Sequence, residues 1–477
     1  MKNRFRFYFL LSLLALALVA CAGMGTATNT AAVPSPQAPA ASQAPTSAPA
    51  PTSTPRPTAL PTLTVAPTPA LKPGPDQLFV DAGLKLGPIS PLVYGSNFGP
   101  WLFISNTMMP QARAAKFTLL RWPGGNWGDQ NDIEEWQLDQ FMAMCRDFKA
   151  EPFIHVRLLG GTPEKAAALV RYANITKGYK VKWWAIGNEP NLLLNMDVQT
   201  YVKEWRQFAE AMRAVDPTIK LMGPETSQFT FSFVVNPPTD PSQGSAWRFL
   251  NEFLKVNGDM VDLVSIHRYP FPSSMTSGAP SIEELKANSK EWDQIIPALR
   301  ALIRQQAGRD LPVGVTEVNS SWAPNIDTEG SMNMHYNAIW WGDSLGRMIR
   351  QGVDVVAQFS IVGQQGLMDS YQVFPTYYVY IMYQNFGTER VQAVSEDADV
   401  SVFAARRPDG ALTIMVINLG SKPATKQLTV AGFKTGAPVE TWLFDPDHPA
   451  VKLNPGPLGE TLTLPGRSMT LLVIPAQ

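Results

Sequence analysis

One segment constrains the fold of this chain more than any other: an apolar run that ends in a carboxylic acid and a proline. It reads Trp-Trp-Ala-Ile-Gly-Asn-Glu-Pro from Trp183 to Pro190. The proline lacks a backbone N–H donor, so the run cannot continue as a strand. A second apolar run, Leu311 to Val318, carries Glu317 close to its end in the same way. Two buried strands that each deliver a glutamate predict an enzyme that works with a carboxylate pair.

Eight apolar runs alternate with amphipathic segments over most of the chain: Leu92–Phe98, Thr118–Trp122, Pro152–Leu158, Val181–Glu189, Ile219–Glu225, Val261–Tyr269, Leu311–Val318 and Val353–Ile361. Nearly continuous apolar runs are typical of parallel strands buried on both faces. Helices are predicted between them, at Val198–Val215 and at Ser281–Gln306, the latter opening with a capping box. We therefore predict an α/β fold, a (β/α)8 TIM barrel over residues 87–386, with an open doubly wound sheet as the alternative.

The pattern changes after about Gly387 to short apolar segments separated by Gly, Pro and Asp: Val400–Ala405, Ala411–Asn418, Lys426–Val430, Val439–Phe444, Thr461–Leu464 and Ser468–Ile474. This spacing predicts an appended antiparallel β-sandwich domain. Gln77–Asp81 also has the character of a strand but precedes the barrel. We expect residues 76–86 to join residues 387–477 in this second domain.

The N-terminus has the features of a targeting segment. A basic start is followed by an apolar stretch, Phe7 to Ala20, that is too short to span a bilayer comfortably. The sequence Leu18-Val19-Ala20-Cys21 resembles a bacterial lipobox, which implies lipidation of Cys21 and a signal peptide of residues 1–21. Residues 22–75 are rich in Pro, Ala, Ser and Thr and predict a disordered tether. We expect an extracellular lipoprotein held to the membrane by its lipid, or a secreted protein if the lipobox is not used.

Composition excludes several classes of function. A net charge of −1 gives no reason to expect a nucleic-acid partner. The four histidines lack the spacing of a zinc site, and the chain has no phosphate loop or dinucleotide fingerprint. We therefore expect no cofactor and no metal. With Cys21 lipidated, Cys145 would be the other cysteine, and its helix-like surroundings predict a buried apolar side chain.

In a barrel, residues at the C-terminal ends of the strands face the active site. Besides the two glutamates at the fourth and seventh strands, the residues that follow or end strands and that we predict to bind substrate are Arg121, Asn126, Asn188, Glu225, His267, Tyr269 and Trp322.

At these positions the chain resembles the clan A glycoside hydrolases, a superfamily of retaining enzymes built on this barrel. Their fourth strand ends in Asn-Glu and their seventh in the nucleophilic Glu, which Asn188-Glu189 and Glu317 match. The sequence Gly-Asn-Glu-Pro-Asn is most similar to families 39 and 79. The segments Leu120 to Asn126 and Val93 to Gly95 are more similar to families 51 and 44.

The resemblance implies a role for each residue. Glu317 would attack the anomeric carbon, and Glu189 would act as acid and then base. Asn188 would bind the sugar 2-hydroxyl. Arg121 would favour the ionised form of Glu317, and Tyr269 or His267 would orient it.

The sequence thus predicts a monomeric, lipid-anchored retaining glycoside hydrolase that acts on polysaccharides or oligosaccharides. A non-catalytic lipoprotein that captures glycans on a decayed barrel is the alternative, although such a protein needs no acid/base pair. Many members of the clan carry a Trp at the end of the eighth strand, where this chain has Gln358-Phe359. This departure bears on the identity of the sugar.

Overall fold

The computed structural model describes residues 73–192, 196–232, 245–272, 278–322 and 328–477. Cys21, the predicted signal peptide and nearly all of the predicted tether lie outside these residues. Within the part that is described, no helix combines the length and the apolar character needed to cross a membrane.

Eight parallel strands close into a barrel that follows a first strand, β1 (Gln77–Pro88). The barrel strands are β2 (Gly95–Asn97), β3 (Leu119–Trp122), β4 (Glu151–Val156), β5 (Trp183–Ile186), β6 (Lys220–Ser227), β7 (Leu263–Arg268), β8 (Val313–Val318) and β9 (Val355–Gln358). They pair in sequence order, and β9 pairs with β2 to complete the ring. Each overlaps one predicted apolar run. The barrel prediction is confirmed, and the open sheet is excluded.

The helices of the described residues are α1 (Met109–Ala114), α2 (Gly125–Gln130), α3 (Glu135–Phe148), α4 (Pro163–Val170), α5 (Val198–Val215), α6 (Ser245–Asn257), α7 (Ile282–Asn288), α8 (Trp292–Ala307), α9 (His335–Arg350) and α10 (Pro375–Tyr383). The bounds predicted for α5 agree with the structure. The second predicted helix divides into α7 and α8 at a 3-10 turn, Ser289–Glu291. Its capping box is present, because the Ser281 hydroxyl accepts from the Glu284 N–H.

The remaining strands build the predicted second domain: β10 (Glu389–Ser395), β11 (Val400–Arg406), β12 (Leu412–Asn418), β13 (Ala424–Ala431), β14 (Glu440–Asp445), β15 (His448–Lys452), β16 (Thr461–Leu464) and β17 (Ser468–Ile474). They form one continuous nine-stranded sheet with β1 rather than two separately bonded layers. Strand β1 lies between β10, which is antiparallel to it, and β13, which is parallel to it. Two of the strands, β10 and β15, were not predicted.

The two faces of this sheet have different partners. In β12, Ile414 packs into an aliphatic core enclosed by the sheet itself. Its neighbour Met415 belongs to the larger core shared with the barrel, as the alternation of side chains along a strand requires. On the barrel side, helix α9 approaches the sheet so closely that a Cβ atom at Gly346 would lie 2.4 Å from the Phe403 ring. Glycine is therefore needed there for the barrel and the sheet to pack.

A ring of apolar side chains fills the barrel interior: Leu119, Phe153, Ala185, Met222, Leu263, Val355 and Ala357. This layer is a packed core, as in other barrels of this type. Polar chemistry is consequently confined to the end of the barrel at which the strands terminate.

Candidate active site

Five ionisable side chains meet at the C-terminal end of the barrel. Each comes from a different strand or its exit: Arg121 from β3, Glu189 after β5, Glu225 from β6, His267 from β7 and Glu317 from β8. The carboxylate oxygens of Glu189 and Glu317 and a ring nitrogen of His267 all lie within 4.8 Å of one another. Residues as far apart in sequence as Arg121 and Glu317 are thus brought into direct contact by the barrel topology.

The backbone that presents Glu189 adopts an uncommon conformation. Gly187 has φ of 78° and Glu189 has φ of 45°, both in the left-handed region. For a residue with a side chain this conformation costs on the order of 1 kcal/mol or more. It is held in place because the Glu189 N–H donates to the Glu225 carbonyl at 3.1 Å. The preceding Asn188 N–H donates to the Asp129 carboxylate at 3.1 Å. The glutamate therefore has a fixed direction before any ligand arrives.

Both oxygens of Glu317 accept hydrogen bonds. The Tyr269 hydroxyl donates to Oε1 at 2.6 Å, and Arg121 donates to Oε2 at 3.1 Å. Burial and the neighbouring Glu189 raise the pKa of Glu317 above its ordinary value, against the opposite effect of the two cations nearby. Burial also raises the pKa of Tyr269, so this hydroxyl stays a donor.

Arg121 is fully buried and distributes its donors among four acceptors: Asn97 Oδ1 at 2.9 Å, Asn188 Oδ1 at 2.7 Å, Glu225 Oε2 at 2.6 Å and Glu317 Oε2 at 3.1 Å. Because the Asn188 oxygen faces the guanidinium, its NH2 group must point away from it. That Nδ2 atom is buried and has no hydrogen-bond partner among the described residues. An unpaired buried donor is costly, so this one is a candidate contact for a ligand.

His267 lies between two carboxylates. Its Nδ1 is 3.1 Å from Glu189 Oε1, and its Nε2 is 2.9 Å from Glu225 Oε2. Burial alone would lower the pKa of His267, but the surrounding carboxylates raise it to about 9. The ring is therefore a cation at neutral pH. Burial likewise disfavours ionised Glu225, yet Arg121 and His267 outweigh it and hold the pKa of Glu225 well below its ordinary range.

An open cavity of about 540 Å³ lies above this cluster. Its lining includes Glu189, Glu317 and three residues predicted to bind substrate, namely Asn126, Tyr269 and Trp322; Trp127, which follows the end of β3, also lines it. Phe359 stands in the wall where many clan members have a Trp, and its ring meets Tyr269 edge to face at 6.4 Å. The lining of aromatic rings, amides and two carboxyls suits a ligand with both C–H faces and hydroxyl groups.

Four of the residues predicted to bind substrate are fully buried beneath the carboxylate pair and are absent from the cavity lining: Arg121, Asn188, Glu225 and His267. The polar atoms of Arg121, Glu225 and His267 are directed at other residues of the cluster. This arrangement suits residues that orient the two glutamates and set their charge, and contact of any of the four with substrate stays a prediction.

Further cavity residues were not predicted from the sequence: Trp101, Gln130, Leu192 and Gln365. A signal for Trp101 was present, because it follows the end of β2 as Trp127 and Trp322 follow the ends of their strands. Gln365 lies in the segment after β9, and its amide donates to the Trp322 carbonyl. A glutamine in a loop is too common for sequence alone to single it out.

Glu189, His267 and Glu317 form a donor set that could in principle hold a cation. Each of the three, however, already has a charged or hydrogen-bonding partner in the cluster. The expectation that the protein needs no metal and no cofactor stays a prediction.

Comparison with known proteins agrees with the predicted class. Residues 167–392, which include both glutamates, match the model for glycosyl hydrolases family 39. Mouse heparanase is 24% identical over 353 residues, covering 65% of this chain and 62% of heparanase. The β-xylosidase of Geobacillus stearothermophilus is 25% identical over 275 residues, covering 50% of this chain and 48% of that protein. The chain thus spans less than two thirds of the length of these relatives.

Solved structures share the fold. An arabinofuranosidase superposes with a TM-score of 0.68 at 18% identity, covering 83% of this chain and 99% of that structure. A xyloglucanase of glycoside hydrolase family 44 from Paenibacillus polymyxa gives a TM-score of 0.66 at 16% identity, with coverage of 84% and 99%. These comparisons support the predicted resemblance to clan A glycoside hydrolases.

Proposed function

We propose that this protein is a retaining glycoside hydrolase that uses Glu189 and Glu317 in a double displacement. The observation that carries the proposal is the short separation of the two carboxyls, since one oxygen of Glu189 and one oxygen of Glu317 lie within 4.8 Å of each other. Retaining enzymes keep their carboxyls about 5–5.5 Å apart, whereas inverting enzymes need roughly 6.5–9.5 Å to admit a water molecule. The short separation favours attack by a carboxylate over attack by water.

Glu317 is the nucleophile in this proposal. Both of its oxygens already accept hydrogen bonds, from Tyr269 and Arg121, and these bonds stabilise the carboxylate that attack requires. They oppose burial and the neighbouring Glu189, which raise the pKa of Glu317. The carboxylate attacks the anomeric carbon and forms a glycosyl-enzyme ester, which water then hydrolyses.

Glu189 is the acid and then the base. With His267 protonated, three carboxylates share only two cations, Arg121 and His267, so the buried cluster carries one negative charge in excess. Uptake of a single proton by the Glu189–Glu317 pair neutralises it. The match of Asn188-Glu189 to the Asn-Glu that ends the fourth strand in clan A supports the acid role for Glu189, whose carboxyl lines the cavity where a leaving oxygen would lie.

Asn188 is proposed to donate its unpaired Nδ2–H to the hydroxyl next to the anomeric carbon. In retaining enzymes this hydrogen bond strengthens as the transition state forms. The amide cannot turn its oxygen toward the sugar without losing the 2.7 Å bond from Arg121. The donor is therefore oriented in advance.

The proposed substrates are oligosaccharides or polysaccharides. The relatives that support this class are described as heparanase, β-xylosidase, arabinofuranosidase and xyloglucanase. A first panel should contain the 4-nitrophenyl glycosides of xylose, arabinofuranose, glucose and glucuronic acid, together with xylan, arabinan, xyloglucan and heparan sulfate.

Proton NMR of the first product tests the mechanism, because a retaining enzyme releases the anomer of its substrate. Azide separates the two roles. Glu317→Ala with azide should yield a glycosyl azide of inverted configuration, and Glu189→Ala should yield the retained anomer from substrates with good leaving groups. Initial release of the opposite anomer by the wild-type chain would rule out double displacement.

We further propose that the protein is an extracellular lipoprotein anchored through Cys21. The support is the order of basic start, apolar stretch and lipobox in the sequence. In a bacterial host, Cys21→Ser should abolish incorporation of labelled palmitate and shift the protein from the membrane fraction. Unchanged labelling of the variant would refute the anchor.

A further inference from the structure

A second cavity, of about 320 Å³, lies beside the candidate active site. It is a groove between two parts of the chain, the segment 98–104 that follows β2 and the first turns of helix α3. Segments that follow barrel strands lie at the end of the barrel where the strands terminate. The groove and the catalytic cavity therefore open at the same end of the molecule.

Two aromatic rings form the exposed walls of the groove. Phe103 is 72% exposed and Trp136 is 58% exposed, values that are unusual for large apolar side chains. The floor is apolar and includes Trp122, which stacks on Phe141 with ring centroids 4.9 Å apart. A pair of exposed rings over a packed aromatic floor is a binding surface rather than a scattered set of exposed residues.

The backbone that carries each ring is held in place by the structure around it. Helix α3 begins with a capping box between Glu134 and Gln137, which fixes the turn that carries Trp136. Phe103 lies in a segment whose next residue, Ile104, is buried and whose Ser105 hydroxyl donates to the Ser370 carbonyl at 2.8 Å. A backbone that is fixed before binding reduces the entropy lost when a ligand stacks on these rings.

Amide groups lie beside the rings. Gln140 is one helical turn from Trp136 on α3, so its side chain shares the exposed face with that ring. Gln140 and Gln137 both line the groove. Rings that cover a C–H face, next to amides that can bond hydroxyl groups, match the chemistry of a sugar.

One loop lies between the groove and the catalytic cavity and contributes to both. Trp101 lines the catalytic cavity, and its neighbours Pro100 and Leu102 line the groove. A chain bound across Glu189 and Glu317 would therefore reach the groove by crossing this loop at Trp101.

We propose that this groove is a distal subsite that holds a further sugar of the same glycan chain whose bond is cleaved between the two glutamates. The inference rests on the glycosidase function proposed above and makes the protein an enzyme for polymers rather than for short glycosides. The energy of binding the distal sugar would favour long chains over short ones.

Two variants of the full-length chain, Phe103→Ala and Trp136→Ala, test the subsite. The readout is the ratio of kcat/KM on a polymer to kcat/KM on the matching 4-nitrophenyl glycoside, for xylan, arabinan and xyloglucan. Loss of a stacking ring should lower this ratio about tenfold, the size expected for a buried aromatic anchor. Trp136→Tyr keeps a ring and should restore most of the ratio. Ile175→Ala is the matched control, because Ile175 is 59% exposed but lies after helix α4, away from both cavities.

Binding without turnover separates this inference from the function on which it rests. In Glu317→Gln, retention in gels that contain each polymer should weaken when Trp136→Ala is added. The weaker retention is expected even if the protein does not hydrolyse these polymers. An unchanged ratio and unchanged retention would overturn the subsite, as would a wild-type chain that none of the three polymers retards. Equal losses of kcat/KM on the polymer and on the nitrophenyl glycoside would indicate that the groove binds the aglycone. That result would also overturn the distal subsite.

Discussion

Two buried arginine clusters stand at different places in this molecule. Arg121, at the end of the barrel, contacts Glu225 and Glu317 beside the candidate catalytic cavity. Arg347, on helix α9, contacts Asp343 and Asp293 and donates to the Ser401 hydroxyl of the second domain at 2.9 Å. Both guanidinium groups are nearly excluded from water, so each must be matched by acceptors.

The difference between the clusters lies in their charge balance. Around Arg347, two aspartates face two arginines, because Arg350 also contacts Asp293 at 2.6 Å. The Arg121 cluster has three carboxylates and two cations, and two of its buried donors, Asn188 Nδ2 and Arg121 Nε, have no partner among the described residues. A balanced cluster of ion pairs suits a structural role. A cluster with one negative charge in excess favours uptake of a proton, and an unpaired donor can bind a ligand, which are both useful in acid–base catalysis.

The largest effect should follow from removing a carboxylate of the unbalanced cluster. We expect Glu317→Gln to lower kcat by roughly 10⁴-fold or more, since a nucleophile that acts in a concerted set is lost. The free energy of unfolding should stay equal or rise, because the substitution removes the excess negative charge. Steady-state kinetics and urea denaturation measure the two quantities. A variant that loses activity only because it unfolds would break the contrast between the clusters.

The next largest effect should come from the balanced cluster and should affect stability alone. Arg347→Met leaves the fully buried Asp343 without its cation, which costs about 3–5 kcal/mol of unfolding free energy. Below the unfolding transition, kcat/KM should be unchanged because Arg347 is remote from the cavity lining. Replacing Asp343 by Leu as well should recover much of the loss, since apolar pairs of similar volume replace buried ion pairs well. A kinetic defect in folded Arg347→Met would show that the two clusters are coupled.

A smaller effect distinguishes the clusters by pH. The pKa of His267 is raised to about 9, so its contribution to stability is complete below the ordinary histidine pKa near 6.5. That contribution is lost as the pH rises through about 9. Glu225→Gln removes one of the anions that raise this pKa, so the alkaline limb of the unfolding free energy, measured by urea denaturation across pH, should move to lower pH by about one unit. Asp293→Asn is the control from the balanced cluster and should leave the limb in place.

The sequence predicted the barrel and the meeting of Glu189 and Glu317 at one end of it, because both depend on local patterns. Continuous apolar runs predicted all eight barrel strands, and the proline after Glu189 indicated where its strand ends. Strands β10 and β15 were missed because they lack such a run. The sequence Glu-Arg-Val-Gln-Ala-Val-Ser of β10 is largely polar, and β15 has only five residues, so neither carries an apolar run.

The roles of the residues below the pair could not be predicted in the same way. Whether Glu225 faces the ligand, the solvent or the interior depends on its neighbours in space, namely Arg121 and His267, which lie 104 and 42 residues away in sequence. The pairing between β6 and β7 and the left-handed backbone at Glu225 set that direction. A strand-end position predicts that a side chain is near the site, but not the depth at which it lies.

The smallest effect should come from an arginine that is paired but exposed. Arg113 contacts Asp147 at 2.9 Å, with both side chains more than a third exposed. Solvent screens such a pair, so Arg113→Gln should change the unfolding free energy by about 1 kcal/mol or less. The change should shrink further in high salt, whereas the loss in Arg347→Met should persist because buried charges are little screened. Urea denaturation of both variants at low and high salt measures this. Equal losses of unfolding free energy in Arg113→Gln and Arg347→Met would show that burial does not give the Arg347 cluster its effect. The contrast in charge balance with the Arg121 cluster would then lose its basis.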